Sequence, residues 1–140
     1  MITIISGPSG SGKTQKLIDM ANGELSATKG LIVYIDKTNN HRLAVNRQVR
    51  FINTTEFDVD NKEKFIGLLC GLIAGNYDIN RIYIDNITKI INDEEVGGVA
   101  YTVRQIEKLC RMNDMQCYLV LNSEKCVGLD TSEFNVINCG

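Results

Sequence analysis

The chain contains 140 residues, a length typical of one domain or at most two, and a chain of this size can bury enough surface to fold without disulfides or a bound metal. Hydrophobic residues make up 44% of the sequence and charged residues 23%, which is globular usage and excludes a disordered chain. The net charge of −2 gives no overall attraction to nucleic acid or to anionic lipid. The longest nearly apolar stretch, residues 65–75, is about half as long as a bilayer span. We therefore expect one domain, residues 1–140, with no membrane partner.

The N-terminal residues and the cysteines favour a cytoplasmic location. The first residues lack the basic and long apolar regions of a signal peptide. The five cysteines are an odd number with no C-x-x-C pair, and the chain has one histidine. This usage is typical of reduced thiols and not of a disulfide framework or a zinc site.

Strand-like and helical patterns alternate from the N-terminus. In the first half, the patterns predict a β-branched strand at residues 2–6, a helix from Lys13 to Gly23 with Gly23 as C-cap, a buried strand at residues 31–35 and a weak edge strand at residues 49–53. Asp60 is expected to cap the next helix, with Glu63 completing a capping box and Gly75 ending the helix.

The second half continues the alternation. It predicts a strand at residues 81–85, a helix through Val99 and Cys110, a strand at residues 117–121 and a short strand at residues 134–137. Residues 92–99, where three acids precede two glycines, are the expected soft segment. Strands separated by helices predict a three-layer α/β/α sandwich with a mainly parallel sheet.

The clearest motif lies between the first strand and the first helix. Residues 7–14 match G-x-x-x-x-G-K-[ST] in full, in the strand–loop–helix context that gives this pattern its meaning. Glycines allow successive backbone N–H groups to point inward around a polyphosphate, and the following helix adds its positive N-terminal end. Lys13 is then expected on the β and γ phosphates and Thr14 on Mg²⁺. The residues that we expect to bind the nucleotide are Gly7, Pro8, Ser9, Gly10, Ser11, Gly12, Lys13, Thr14 and Gln15.

Three polar residues at strand ends are candidates for the rest of the site. Asp85 ends its strand, where ligand sites of open α/β sheets lie, and is the expected second Mg²⁺ ligand and a catalytic residue beside Lys13. Asp36 ends the second strand in the same way and is either a further metal ligand or a turn residue. Asn122 follows residues 117–121, and it either contacts the γ-phosphate or the attacking water, or only terminates the strand.

Together these residues resemble the core of the RecA-like P-loop NTPases, a group that includes recombinases, hexameric helicases and related motor ATPases. The similarity covers residues 7–14, 31–36, 49–53, 60–75, 82–85 and 118–123. It implies a P-loop fold in which the strand at residues 117–121 inserts between the first strand and the strand of Asp85. It also implies ATP as ligand and Mg²⁺ as cofactor. No N-K-x-D-like guanine signature is present, which favours ATP over GTP.

Two positions depart from that group. Many members activate water with a glutamate directly after the acid of the Asp85 strand, or two residues past the acid that ends the second strand. Here those positions hold Asn86 and Thr38, neither of which can accept a proton from water. Hydrolysis is therefore expected to be weak or to depend on a partner.

The basic residues of the sequence are compatible with more than one kind of partner. Residues 37–50 contain Lys37, His41 and three arginines but no acid, which is typical of a solvated face or of a patch for nucleic acid, although the net charge does not support nucleic acid. Arg104 and Arg111 either pair with Glu107 or Asp114 on the surface or reach a neighbouring subunit as an arginine finger. A homo-oligomer or a larger assembly stays open.

The sequence thus favours an ATP-binding, Mg²⁺-dependent ATPase of weak or partner-assisted activity. One alternative is a nucleotide-gated binding module without turnover, in which ATP orders residues 92–99. Another is a small-molecule kinase, which is disfavoured because residues 93–98 are acidic and kinases usually close an arginine-bearing lid over the phosphates.

Overall fold

A computed structural model describes residues 1–126 and 128–140. Its strands and helices alternate as the sequence predicts. The strands are β1 (Ile2–Gly7), β2 (Leu31–Asp36), β3 (Arg50–Asn53), β4 (Ile79–Asp85), β5 (Gln116–Asn122) and β6 (Asn135–Asn138). The helices are α1 (Lys13–Gly23), α2 (Lys62–Gly75), α3 (Ile87–Ile90) and α4 (Val96–Asn113).

The strands form one six-stranded sheet in the order β3-β2-β4-β5-β1-β6, and every neighbouring pair is parallel. β5 lies between β1 and β4, the position that the resemblance implies, and β3 is an edge strand paired with β2. Because all strands run in the same direction, their carboxyl ends and the loops that follow them meet at one edge of the sheet.

Helices cover both faces of this sheet. Successive side chains of a strand point to opposite faces, so Ile32 and Tyr34 of β2 pack with Leu17 and Ile18 of α1 on one face. The alternate residues of β2 pack with the apolar residues of α2 and α4 on the other face. Each fully buried aliphatic side chain contributes about 1.5–3 kcal/mol, which explains why the strands are nearly continuous apolar runs. The α/β sandwich is therefore confirmed.

Several local details differ from the sequence prediction. Asn61, and not Asp60, is the N-cap of α2, where its side chain accepts a hydrogen bond from Lys64 N–H. Gly23 is not a left-handed C-cap, because its φ is −70° and the chain continues into a 3₁₀ turn. The sequence does not predict the short helix α3. Of residues 92–99, Val96 onward belongs to α4.

No helix among residues 1–126 and 128–140 combines the length and the apolarity that crossing a bilayer takes.

Candidate functional site

The glycine-rich loop (residues 7–14) connects β1 directly to α1. Gly10 and Gly12 adopt φ values of 78° and 86°, in the left-handed region that L side chains rarely occupy. Gly12 is the N-cap residue of α1, and no side chain caps this end of the helix. The first N–H groups of an uncapped helix carry partial positive charge and favour an anion.

The Lys13 side chain lies inside the curve of this loop. Its Nζ donates a 2.7 Å hydrogen bond to the carbonyl oxygen of Pro8, and only 6% of the residue is exposed. A buried ammonium group needs hydrogen-bond acceptors, and this backbone carbonyl supplies one of them. The Lys13 ammonium group is therefore held against the backbone of the loop.

A hydrogen bond joins the start of α1 to the end of β4. Thr14 Oγ1 donates to Asp85 Oδ2 over 2.8 Å, although the two residues are 71 positions apart in the sequence. β5 lies between β4 and the strand that leads into the loop, so this contact depends on the strand order of the sheet. The structure thus brings together the two side chains that the sequence assigns to one metal ion.

Asp36 lies beside Asp85 at the same edge. The two residues are register partners on β2 and β4, and each is less than a tenth exposed. Asp36 Oδ1 accepts the N–H of Lys37 at 2.6 Å. Its Oδ2 is buried and has no hydrogen-bond partner in the described part of the chain.

The two carboxyl groups hold their protons more tightly than free side chains do. Burial raises the pKa of Asp36, and the neighbouring charge of Asp85 raises it further. Burial also raises the pKa of Asp85, while the Thr14 hydrogen bond and the charges of His41, Lys89 and Lys13 act in the opposite direction. A cation placed between the carboxylates would relieve both effects.

The donor set fits a magnesium ion. Mg²⁺ prefers hard oxygen ligands and usually takes one or two carboxylates from the protein. Thr14 and Asp85 supply a hydroxyl and a carboxylate oxygen within hydrogen-bond distance of each other, and Asp36 adds a carboxylate oxygen without a partner among the described residues. These three residues could hold such an ion together with oxygen atoms of a ligand.

All of these groups border one cleft of about 390 Å³. Such a volume lies in the range of small-ligand sites. The cleft is lined by Ser9, Gly10, Gly12, Lys13, Thr14, Asp36, Lys37, Thr38, Asn40, His41, Asp85, Asn86, Lys89, Val120 and Asn122. Asn122, predicted as a site residue from its place at the end of β5, is therefore at the cleft.

Four predicted binding residues lie outside this lining. Gly7 is buried at the end of β1, and a side chain there would overlap the carbonyl oxygen of Cys139. Pro8 contributes its carbonyl to Lys13. Ser11 and Gln15 border a separate groove along α1, where the Gln15 amide donates to Asp19 over 2.9 Å.

Several polar residues of the cleft are not predicted as site residues by the sequence. Lys37, Asn40 and His41 come from the loop after β2, and Lys89 comes from α3 after β4. The signal that could find them is their position within a few residues of a predicted strand end. From the sequence, Lys37 and His41 are only members of a basic patch.

Arg111 and one arginine of the basic stretch at residues 37–50 have partners outside the cleft. Arg111 forms an ion pair with Glu107 at 2.9 Å, one of the two surface pairings expected for it. Arg42 lies over the Phe51 ring and pairs with Glu56. No arginine is among the described residues that line the cleft.

No protein-family model and no curated protein matches this chain. The chain is a parallel α/β protein whose sheet carries, at its carboxyl edge, a glycine-rich loop, a buried lysine and two buried carboxyl groups.

Proposed function

We propose that the chain is a P-loop protein of the RecA-like kind that binds ATP with Mg²⁺ and hydrolyses it slowly or with the help of a partner. The hydrogen bond between Thr14 and Asp85 carries this proposal, because a P-loop site needs the loop hydroxyl and the acid at the end of another strand on the same metal ion.

The chain's own groups would bind and orient the triphosphate. Backbone N–H groups of the loop and of the first turn of α1 would surround the β and γ phosphates, and Lys13 would exchange the Pro8 carbonyl for phosphate oxygens. Bound Mg²⁺ would supply charge neutralisation of the phosphates. Thr14 and Asp85 would hold the ion, with Asp36 next to them.

One residue at the cleft supports the slow turnover that we propose. Asn86, which stands where many RecA-like proteins have a catalytic glutamate, uses its Oδ1 to accept hydrogen bonds from Thr88 N–H and from Thr88 Oγ1. It therefore caps α3 and has no proton-accepting group for water. Asn122 lines the cleft and can orient water or a phosphate oxygen through its amide, but it is not a base.

The same observation supports a second candidate, a nucleotide-gated binding module without turnover. If no group activates water, the nucleotide would act by occupying the cleft. Binding would then order residues 92–99, which begin two residues after α3 and continue into α4.

Release of inorganic phosphate from ATP separates the two candidates. We expect slow, Mg²⁺-dependent release by the wild-type protein and none above background by Lys13→Ala. Lys108→Ala is the matched control, because Lys108 is an exposed lysine of α4 and does not line the cleft. Tight binding of ATP without any release would exclude the ATPase and leave the binding module.

A further inference from the structure

The short helix α3 presents a single charged side chain to the cleft. Its residues Ile87, Thr88 and Ile90 are buried, as is Ile91 after it, whereas Lys89 is exposed and lines the cleft. The cap from the Asn86 side chain fixes the first turn of this helix just after β4. Because the other residues of α3 pack into the core, the backbone of Lys89 is held at the edge of the cleft.

Lys89 and Lys13 approach the cleft from different elements. Lys13 belongs to the glycine-rich loop and is tied to the Pro8 carbonyl, whereas Lys89 follows β4. In the described part of the chain, Lys89 has no ion-pair partner. An unpaired lysine on an anchored element is available to an anionic ligand.

We propose that Lys89 is a catalytic residue that binds the γ-phosphate together with Lys13 and stabilises the charge that develops during its transfer. This inference rests on the proposed function. In this proposal, Lys89 supplies from the same chain the positive charge that an arginine finger of a neighbouring subunit would otherwise bring to the γ-phosphate.

The chemistry needs such a cation. As the oxygen of water forms a bond to the γ-phosphorus, the bond from that phosphorus to the β–γ bridging oxygen breaks, and its electron pair stays with ADP. One proton of the water is released to solvent, and the products are ADP and inorganic phosphate. Negative charge spreads over the equatorial and bridging oxygens in the transition state, where a fixed cation in a cleft lowers the barrier most.

A purely structural role for Lys89 predicts different behaviour. If its charge only offset Asp36 and Asp85 in the free protein, its removal would change stability and leave the transition state unaffected. Calorimetry with MgADP and fluoroaluminate separates the two roles, because the two compounds together mimic the transition state of phosphoryl transfer.

The test compares Lys89→Met, Lys89→Arg and the control Lys108→Met with the wild type by calorimetry and by phosphate release. We expect Lys89→Met to bind MgADP within about twofold of wild type, and to lose about 10²–10³-fold both in fluoroaluminate-dependent affinity and in kcat. Lys89→Arg should recover part of both, and Lys108→Met should match the wild type.

Two results would overturn the role of Lys89 while leaving nucleotide binding intact. One is wild-type fluoroaluminate affinity and kcat in folded Lys89→Met. The other is a wild-type protein that binds MgATP but neither hydrolyses it nor binds fluoroaluminate with MgADP. A wild-type protein that binds neither MgATP nor MgADP would instead refute the proposed function itself. Thermal unfolding of each variant shows that the comparison is between folded proteins.

Discussion

Asp36 and Asp85 occupy paired positions on the neighbouring strands β2 and β4, and both residues are more than nine-tenths buried. In the free protein this arrangement opposes stability, because two carboxylates share one poorly solvated place. When a divalent cation is present, the same pair of carboxylates favours binding of that cation, because its positive charge offsets theirs. Both consequences can be measured.

Replacing Asp36 with asparagine should stabilise the metal-free protein at neutral pH. Burial and the charge of Asp85 raise the pKa of Asp36, so the folded state holds this proton more tightly than the unfolded state does. The contribution of Asp36 to stability is therefore lost as the pH rises from the ordinary aspartate pKa of 3.8 through the raised pKa of Asp36 in the folded protein. The asparagine side chain does not titrate and keeps an oxygen for Lys37 N–H, so the gain should be largest at neutral pH and should disappear below pH 3.8.

Urea unfolding with a chelator present, measured from about pH 4 to pH 8, checks this prediction. Asp130→Asn is the control of opposite sign, because the hydrogen bonds from Ser132 lower the pKa of Asp130, which is fully exposed. A stability of Asp36→Asn that is equal to or below that of wild type at neutral pH would show that the two carboxylates do not oppose folding.

Removing the Thr14 hydroxyl should weaken the magnesium-dependent part of nucleotide binding. Thr14 Oγ1 is 2.8 Å from Asp85 Oδ2, and both oxygens are expected to face the same ion. Thr14→Ala should therefore reduce the difference between the ATP affinity measured with Mg²⁺ and that measured with a chelator, whereas Thr14→Ser should keep it. Equal Mg²⁺ dependence in wild type and Thr14→Ala, by calorimetry, would remove Thr14 from the metal site.

Two glycine substitutions should change stability in opposite directions. At Gly7, an added Cβ would overlap the Cys139 carbonyl oxygen and come within 2.6 Å of Ser11 Oγ, so Gly7→Ala should destabilise the protein by about 1–3 kcal/mol. At Gly67, inside α2, no described atom outside the helix backbone lies within 4 Å of the added Cβ, and Gly67→Ala should stabilise the helix by about 0.5–1 kcal/mol. A urea midpoint of Gly7→Ala at or above that of wild type would contradict the packing around β1, and a lowered midpoint of Gly67→Ala would contradict the open site on α2.

Much of the fold could be predicted from the sequence because its signals are local and strong. β1, β2 and β5 are runs of apolar residues flanked by turn residues, and α1 begins and ends at the predicted residues. The sequence places the N-cap of α2 one residue early, since Asp60 and Asn61 are both good caps and only the backbone decides between them. The helix α3 escapes prediction because a helix of four residues shows no period, and its β-branched residues are also typical of a strand.

The site could be predicted only as far as the chain order fixes it. The loop residues are contiguous, and Asp36, Asp85 and Asn122 end their strands, so the parallel sheet brings them to one edge. His41 and Lys89 reach the cleft through a loop and a short helix whose course depends on tertiary packing. The burial that raises the pKa of Asp36 is likewise a property of the folded protein.

The most direct test of the central claim is a calorimetric titration of the purified protein with MgATP, beside Lys13→Ala and Lys108→Ala. We predict that one MgATP binds each wild-type and Lys108→Ala chain, and that affinity falls by more than about tenfold in Lys13→Ala. Folded wild-type protein that takes up no MgATP, or Lys13→Ala that binds it as tightly as wild type, would contradict nucleotide binding by the glycine-rich loop.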